Sequence, residues 1–266
     1  MTIYHLNCGS MRPPFSPMRA MVYCLLVETN EGLVLIDTGF GTQDCTHPTP
    51  FMRLFAAFIG ALLDIEETAV RQVRRLGYAV GDVQHIVLTH LHLDHTGGLP
   101  DFPDAKVHIF RTEYETMLHP KGFLERGHVP AHWAHRPKWV IHDKCIEQWF
   151  GLNAVRVIEQ ASPEILLVPL PGHTRGHCGV AIATANGWLF NCGDAASPFH
   201  READPHLLAD SFHPMNAMPA WFVRWMVGSH VPWLRNLIQE NRNTVELISS
   251  HDIYNFSRHQ SMPPAA

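Results

Sequence analysis

Short apolar runs separated by polar turn residues recur along most of the chain, and this pattern predicts a protein rich in buried strands. The run 22–27 is continuously apolar, and 32–37 follows the turn residues 29–32, so these two segments form a predicted hairpin. Asn186-Gly187 marks a second predicted hairpin. The predicted strands are 2–7, 22–27, 32–37, 84–88, 105–110, 154–159, 165–170, 178–184, 188–192 and 245–249.

Apolar residues recur at helical spacing in other segments, which lie between and after the predicted strands. The segment 119–143 has no such period and is rich in proline and histidine, so we predict an irregular insertion that roofs the active site. Each half of the chain offers strands and then helices. We therefore predict the α/β class, with residues 1–266 forming one αββα sandwich of two mixed sheets packed face to face and helices outside. The predicted helices are 51–59, 66–76, 112–118, 217–227 and 231–241.

Composition and charge narrow the possible partners. Of the 266 residues, 46% are apolar and 17% are charged, which is enough apolar material for a sizeable core. The formal net charge is −5 and no run of Lys or Arg exceeds a pair, so a nucleic-acid partner is not expected. The six cysteines are widely spaced without a C-x-x-C pair, and no secretory signal or membrane-spanning stretch is visible. These features predict a cytoplasmic protein without a membrane partner.

One stretch concentrates potential metal ligands. Directly after the predicted strand 84–88, three imidazoles and one carboxylate fall within six positions, at His90, His92, Asp94 and His95. Extended backbone directs His90 and His92 to one side, and a bend brings the other two toward the same cavity. Imidazole and carboxylate suit Zn²⁺ and neighbouring first-row metals. The alternative is a histidine-rich surface loop, because the chain has 20 histidines, but scattered histidines rarely follow an apolar strand in this pattern.

The pattern His90-x-His92-x-Asp94-His95 resembles the signature of the metallo-β-lactamase fold hydrolases. Other short motifs match that family in chain order, and the resemblance covers residues 19–255. Among subgroups the chain is most similar to the N-acyl-homoserine lactonases, because of its opening residues 6–11 and its closing Ser-His-Asp. The matching motifs are Asp37-Thr38-Gly39, the loop 171–177, Asn191-Cys192-Gly193-Asp194 and Ser250-His251-Asp252.

The resemblance implies two divalent metal ions, Zn²⁺ in the first place, with Mn, Fe or Co as alternatives. Asp37 would orient a ligand imidazole without touching the metal. His177 matches no ligand position, and we expect it to support a ligand or to have a structural role. The implied ligands are His90, His92 and His173 for one ion, Asp94, His95 and His251 for the other, and Asp194 as the bridge.

The family chemistry implies a hydrolase that opens a lactone or a related carboxylic ester, such as an acyl-homoserine lactone, by attack of a metal-bridging hydroxide. Asp94 and Asp194 are expected catalytic residues, and Asp94 would also pass a proton to the leaving group. Ser197 is the third candidate, because it stands where the lactonase branch usually has a tyrosine that touches the substrate carbonyl. Either another group substitutes for that tyrosine or the substrate is not an acyl-homoserine lactone.

Other activities are compatible with the same fold. A glyoxalase II-like thioesterase is the main alternative, although the arginines near the C-terminus are scattered. An iron-dependent oxidoreductase of the diiron type is disfavoured because it normally has a glutamate where His92 stands. A one-iron dioxygenase and a non-catalytic binder are disfavoured because every ligand position of the dinuclear pattern is filled. The expected partner is a small-molecule lactone or ester, and the apolar stripe 51–59 leaves a homodimer open. This stripe could also line an acyl pocket or pack in the core, and so could Trp221, Phe222, Trp225, Met226 and Trp233.

Overall fold

The computed structural model describes residues 1–12, 14, 19–121, 124–195 and 231–261. Within these residues, twelve strands form two sheets of six strands each. The longest apolar runs of the sequence become central strands that are buried on both faces. Because both faces must be covered, each sheet needs a packing layer on either side.

The first sheet contains β1 (Ile3–Met11), β2 (Ala20–Thr29), β3 (Gly32–Ile36), β4 (Val83–Val87), β5 (Lys106–Phe110) and β6 (Lys138–His142). Its spatial order follows chain order. The first three strands are antiparallel neighbours, whereas β3 to β6 are parallel neighbours. The C-terminal ends of β3 and β4 therefore lie at the same edge of this sheet.

The second sheet contains β7 (Glu147–Trp149), β8 (Leu152–Arg156), β9 (Ile165–Pro169), β10 (Cys178–Thr184), β11 (Gly187–Asn191) and β12 (Val245–Ile248). Its order runs in reverse, from β12 to β7. Strands β8 to β11 are antiparallel neighbours, and β12 is parallel to β11. As a consequence β9, β11 and β12 all end at one edge.

The described helices are α1 (Thr42–Thr46), α2 (Pro50–Ile59), α3 (Ala69–Arg75), α4 (Leu93–Thr96), α5 (Arg111–Leu118), α6 (Val231–Glu240) and α7 (Ile253–Ser261). Helix α2 has clear local start and stop signals. The Thr49 side chain accepts a hydrogen bond from the backbone N–H of Met52, and Gly60 ends the helix in the left-handed conformation. Among the described residues, no helix is long and apolar enough to cross a bilayer.

Apolar side chains from both sheets meet in a central layer. Tyr23, Leu25 and Val34 of the first sheet pack in the same cluster as Leu167 and Val180 of the second. These residues alternate along their strands with residues that face the opposite side, as the two-residue period of a strand requires. The two sheets therefore pack face to face.

Helices cover the two outer faces. Met52 of α2 and Val73 of α3 belong to the cluster on the outer side of the first sheet. Leu234 and Leu237 of α6 belong to the cluster on the outer side of the second. The predicted αββα sandwich of two mixed sheets is confirmed, and this order of layers leaves the strand ends at one edge free to carry loops.

The strands predicted from the sequence are present with shifted ends, and the hairpin loop of β10 and β11 is residues 185 and 186, one residue earlier than predicted. The segment 119–143 is not irregular throughout, because its last part pairs with β5 as strand β6. Strand β7 and helices α1 and α7 were not predicted. The predicted helix 217–227 lies outside the described residues, and the single domain over 1–266 stays a prediction.

Candidate metal centre

The motif 90–95 begins where the buried strand β4 ends. Leu88 continues the ladder for one residue by donating its backbone N–H to the carbonyl of His108, at 3.1 Å. The chain stays extended through His92 and then turns into the four-residue helix α4, which contains Asp94 and His95. The bend predicted from the sequence is thus a short helix, and it turns all four side chains of the motif toward one region.

Three loops of the second sheet supply the other predicted ligands. His173 follows β9, Asp194 follows β11 and His251 follows β12. These three strands end at the same edge, where loops at the carboxyl ends of strands commonly form binding sites. Sheet topology therefore brings residues that are far apart in the sequence to the motif after β4.

Asp194 lies at the centre of the cluster. Its Oδ2 is 3.3 Å from Nε2 of His173 and 3.4 Å from Nε2 of His251, and its Oδ1 is 3.6 Å from Nε2 of His95. Nε2 of His90 is 3.9 Å from Oδ2. The potential ligand atoms form three groups, and within each group all atoms lie within 4.8 Å of one another. The groups are His90, His92 and His173; His90, His95 and Asp194; and Asp94, His95 and His251.

Unsatisfied polar atoms at this site fit bound cations. Among the described residues, Nε2 of His90, Nε2 of His95 and Oδ1 of Asp194 are buried and have no hydrogen-bond partner. A buried polar atom without a partner costs about 1–3 kcal/mol, and coordination to a metal ion supplies the missing interaction. The donors are imidazole nitrogens and carboxylate oxygens, as Zn²⁺ and its neighbours prefer. The residues present fit a pair of divalent cations.

Asp37 orients one of these imidazoles, as predicted. Its Oδ2 accepts a hydrogen bond from Nδ1 of His95 at 2.9 Å, so Nε2 is the nitrogen that faces the cluster. Thr89 donates both its backbone N–H and its hydroxyl to the same carboxylate, at 2.9 and 2.8 Å. Asp37 adopts a left-handed backbone conformation with φ of 54°, which aspartate tolerates better than most residues. These bonds hold the carboxylate in place beneath the cluster.

His251 is oriented in the same way by a main-chain group. Its Nδ1 donates to the carbonyl oxygen of Met21 at 2.7 Å, so Nε2 is the nitrogen that faces Asp194. Because the carbonyl can only accept, this contact determines the tautomer. Both His95 and His251 therefore present the same nitrogen to the cluster.

His177 supports Asp194 and does not join the ligand atoms. Its Nδ1 donates to the carbonyl of Leu170 at 3.2 Å, and its Nε2 accepts the backbone N–H of Asp194 at 3.0 Å. Burial lowers the pKa of His177 to about 3, so the ring is neutral and can make both contacts. Gly193 has φ of 58°, and a Cβ there would lie 2.5 Å from Nε2 of His177. Glycine is therefore required at this turn.

The carboxylates make the cluster attractive to positive charge. Burial lowers the pKa of His95, but the charges of Asp94, Asp37 and Asp194 outweigh it and raise the pKa to about 10. Burial also opposes the shift at His251, whose pKa rises to about 9 mainly through Asp194. The same charge field that binds protons here favours divalent cations in their place.

The segment 119–143, which we predict to roof the active site, contains a histidine with a structural role. His132 is buried, and its Nε2 contacts Oδ1 of Asp44 at 3.0 Å while its Nδ1 contacts the hydroxyl of Thr96 at 2.9 Å. A buried imidazole needs such partners. His128 faces the motif, with its ring centre 6.2 Å from that of His92.

The predicted apolar lining is divided between packing and exposed surface. Trp233 packs on the outer face of the second sheet, 6.3 Å from Phe190 between ring centres. Helix α2 buries Met52 and exposes Leu54 and Phe58, which are 72% and 79% accessible. Ser197, Trp221, Phe222, Trp225 and Met226 lie outside the described residues.

One buried acid beside the centre was missed by the sequence analysis. Glu113 of α5 is 1% exposed and hydrogen-bonds to both the motif loop and the loop of His173. The available signal was its helical spacing from the partly buried Met117, four residues on, which places a carboxylate on the packed face of α5. No local pattern reveals its partners, because they lie in distant loops.

The sequence of this chain is similar to those of known proteins. The family model described as the metallo-beta-lactamase superfamily matches residues 18–201. A probable metallo-hydrolase of Mycobacterium tuberculosis is 42% identical over 200 residues, which are 75% of this chain and 63% of the relative. An N-acyl homoserine lactonase of Bacillus thuringiensis is 28% identical over 181 residues, or 68% of this chain and 65% of the relative. The chain thus spans less than two thirds of the length of these relatives.

Two solved structures share the fold. A structure of Bacillus thuringiensis AiiA with N-decanoyl-L-homoserine bound at its active site superposes with a TM-score of 0.65 and 22% identity, covering 98% of this chain and 96% of that one. AidC, a dizinc quorum-quenching lactonase, has a TM-score of 0.53 and 19% identity, covering 88% and 73%. At identities below 25%, these superpositions show a common fold and nothing further.

Proposed function

Because this chain belongs to the metallo-beta-lactamase superfamily, we propose that it is a dinuclear metal-dependent hydrolase that opens a lactone or a related carboxylic ester. The single observation that carries the proposal is the convergence of imidazoles from three other loops on Asp194. Its carboxylate lies within 4 Å of imidazole nitrogens from both halves of the cluster, His90 and His173 on one side and His95 and His251 on the other. Lactonase activity in the Bacillus thuringiensis relative favours lactones as the substrate class.

The ligand atoms divide into two sets. We assign His90, His92 and His173 to one ion and Asp94, His95 and His251 to the other, with Asp194 shared. When bound, two zinc-type ions would lower the pKa of a shared water and polarise a substrate carbonyl.

The residues around the sets have separate tasks. Asp37 and the carbonyl of Met21 bind Nδ1 of His95 and of His251, which directs Nε2 of both rings toward the cluster. His177 holds the main chain of Asp194, so the shared carboxylate does not rotate away. This preorganisation is what metal binding and catalysis both need.

Asp94 is the residue best placed to move a proton. Its Oδ2 lies 3.6 Å from Nε2 of His251 and 3.8 Å from Nε2 of His95. Its side chain is 11% exposed whereas that of His95 is fully buried, so Asp94 is not sealed from solvent. We assign to Asp94 the transfer of a proton to the leaving oxygen of the opened ring.

The test combines metal analysis with a substrate panel. Purified protein should contain two zinc-type ions per chain and hydrolyse members of a panel of simple lactones and acyl-homoserine lactones of several chain lengths. His92→Ala and Asp194→Asn should each abolish turnover, while His119→Ala, at an exposed position after α5, should keep it.

Other outcomes would redirect the assignment. Turnover in both ligand variants would place the chemistry elsewhere in the protein. Hydrolysis of S-lactoylglutathione alone would identify a thioesterase, and one iron per chain with oxygen uptake would identify an oxidoreductase. A cytoplasmic location and a homodimer stay predictions.

A further inference from the structure

Glu113 is a buried carboxylate next to the centre that belongs to neither set of ligands. Its Oε1 accepts the backbone N–H of Leu91 at 2.9 Å, and its Oε2 accepts the hydroxyl of Thr174 at 2.6 Å. The backbone N–H of Gly176 also donates to this carboxylate. One side chain thus receives hydrogen bonds from two separate loops.

Those two loops together supply one complete set of ligands. Leu91 stands between His90 and His92, and Thr174 is next to His173. The first loop follows a strand of the first sheet and the second follows a strand of the second sheet. Their spacing is therefore not determined by pairing within one sheet. It depends on contacts between the two regions, among them the bridge through Glu113 and the hydrogen bond from the backbone N–H of Cys178 to the carbonyl of Thr89 at 2.9 Å.

The fit between α5 and the second loop leaves no room for adjustment. A Cβ at Gly176 would lie 2.0 Å from the backbone nitrogen of Glu113 and 2.4 Å from its Cα. No Cβ in a folded protein approaches another atom so closely, so the start of α5 and this loop are in backbone contact. Glu113 therefore lies where the two loops meet.

Burying the carboxylate of Glu113 is unfavourable unless hydrogen bonds compensate for the lost contact with water. Burial raises the pKa of Glu113 to about 7, although the hydrogen bonds from Thr174, Leu91 and Gly176 act in the opposite direction. A carboxylate offers enough lone pairs to accept all three donors. The amide of glutamine could accept from Leu91 and donate to the hydroxyl of Thr174, but the backbone N–H of Gly176 would then lose its acceptor.

We propose that Glu113 is a positioning residue that sets the distance between the two loops and so tunes the metal site formed by His90, His92 and His173. This inference rests on the proposed dinuclear centre. It makes a selective prediction, because the second set of ligands, Asp94, His95 and His251, takes nothing from the loop of Thr174. Loss of Glu113 should lower the affinity for one ion and leave the affinity for the other unchanged.

The experiment compares Glu113→Gln with Glu115→Gln, an exposed acid two residues along the same helix. Zinc affinity is measured by chelator competition on the full chain, and the Co²⁺-loaded proteins are compared by visible absorption. In Glu113→Gln, one of two ions should bind about 10- to 100-fold more weakly, as expected when an outer contact of a ligand is removed. Glu115→Gln should match the wild type in both affinities and in spectrum.

Thr174→Val provides a second, milder perturbation, because it removes only the hydroxyl contact. It should lower the affinity for the same ion by a smaller factor. The double variant with Glu113→Gln should bind this ion about as weakly as Glu113→Gln alone. Retention of both ions at wild-type affinity in Glu113→Gln would overturn the proposal, and equal loss of both would show a general structural role. If Glu113→Gln does not fold, unchanged zinc affinity in Thr174→Val overturns it instead.

The proposed hydrolase activity can fail separately. Wild-type protein that binds two zinc ions but opens no lactone or ester would refute the function and leave the Glu113 result standing. Wild-type protein that binds one ion would refute the dinuclear centre, and the role of Glu113 would then stand only if its variant weakens that ion.

Discussion

Replacement of His108 with glutamine is expected to reduce the loss of stability in acid. His108 lies between two histidines of neighbouring strands: its Nε2 is 2.8 Å from Nδ1 of His85, and its Nδ1 is 3.0 Å from Nε2 of His142. Each contact needs one N–H and one bare nitrogen, so three neutral rings satisfy one another. Burial first, and then His142, His85 and Lys106, lowers the pKa of His108 from 6.5 to about 3.

This lowered pKa makes folding less favourable as the pH falls. The unfolded chain protonates this imidazole near pH 6.5, whereas the folded protein keeps it neutral until about pH 3. The stability contributed by neutral His108 is complete above pH 6.5 and is lost progressively as the pH falls toward the folded pKa. With a slope of about 1.4 kcal/mol per pH unit, His108 should remove about 2 kcal/mol of unfolding free energy between pH 7 and pH 5.

The assay is urea unfolding followed by tryptophan fluorescence at pH 7, 6 and 5, with and without chelator so that metal release is accounted for. The free energy of unfolding of His108→Gln should fall less steeply than that of the wild type, and the difference should amount to about 2 kcal/mol at pH 5. His119→Gln, at an exposed position, should follow the wild-type curve. Parallel curves for His108→Gln and the wild type would refute the reasoning.

Further predictions concern the metal centre and the core. Asp37→Asn should lower the affinity for one zinc ion by about 10- to 100-fold in chelator competition, because the orientation of His95 is lost. Asp104→Asn, at an exposed site, should leave the affinity unchanged. Equal zinc affinities in the two variants would contradict the role of Asp37. Chelation should abolish lactone or ester hydrolysis and added Zn²⁺ should restore it, so turnover in excess chelator would argue against a metal enzyme. Leu35→Ala should lower the free energy of unfolding by about 2–5 kcal/mol in urea titration, since Leu35 is fully buried, whereas Leu54→Ala at an exposed position should have little effect.

Much of the architecture could be predicted because its signals are local. Strands such as β2 and β10 are continuous apolar runs between turn residues, and their burial on both faces follows from that composition. Strand β7 has three residues and a single buried side chain, so its sequence carries too little pattern to be recognised. Strand β6 lies in a segment rich in proline and histidine, and it exists because β5 offers a free parallel edge.

The metal motif was visible for the same reason, since His90, His92, Asp94 and His95 lie within six positions of one another. The role of Glu113 was not visible. Its partners Leu91 and Thr174 are 22 and 61 residues away, and only the meeting of the two sheets brings them together. Residue type and short-range order thus specify the ligand chemistry and the strands. The contacts that hold the ligand loops in place arise from long-range packing, because a hydrogen bond between distant loops leaves no periodic trace in the chain.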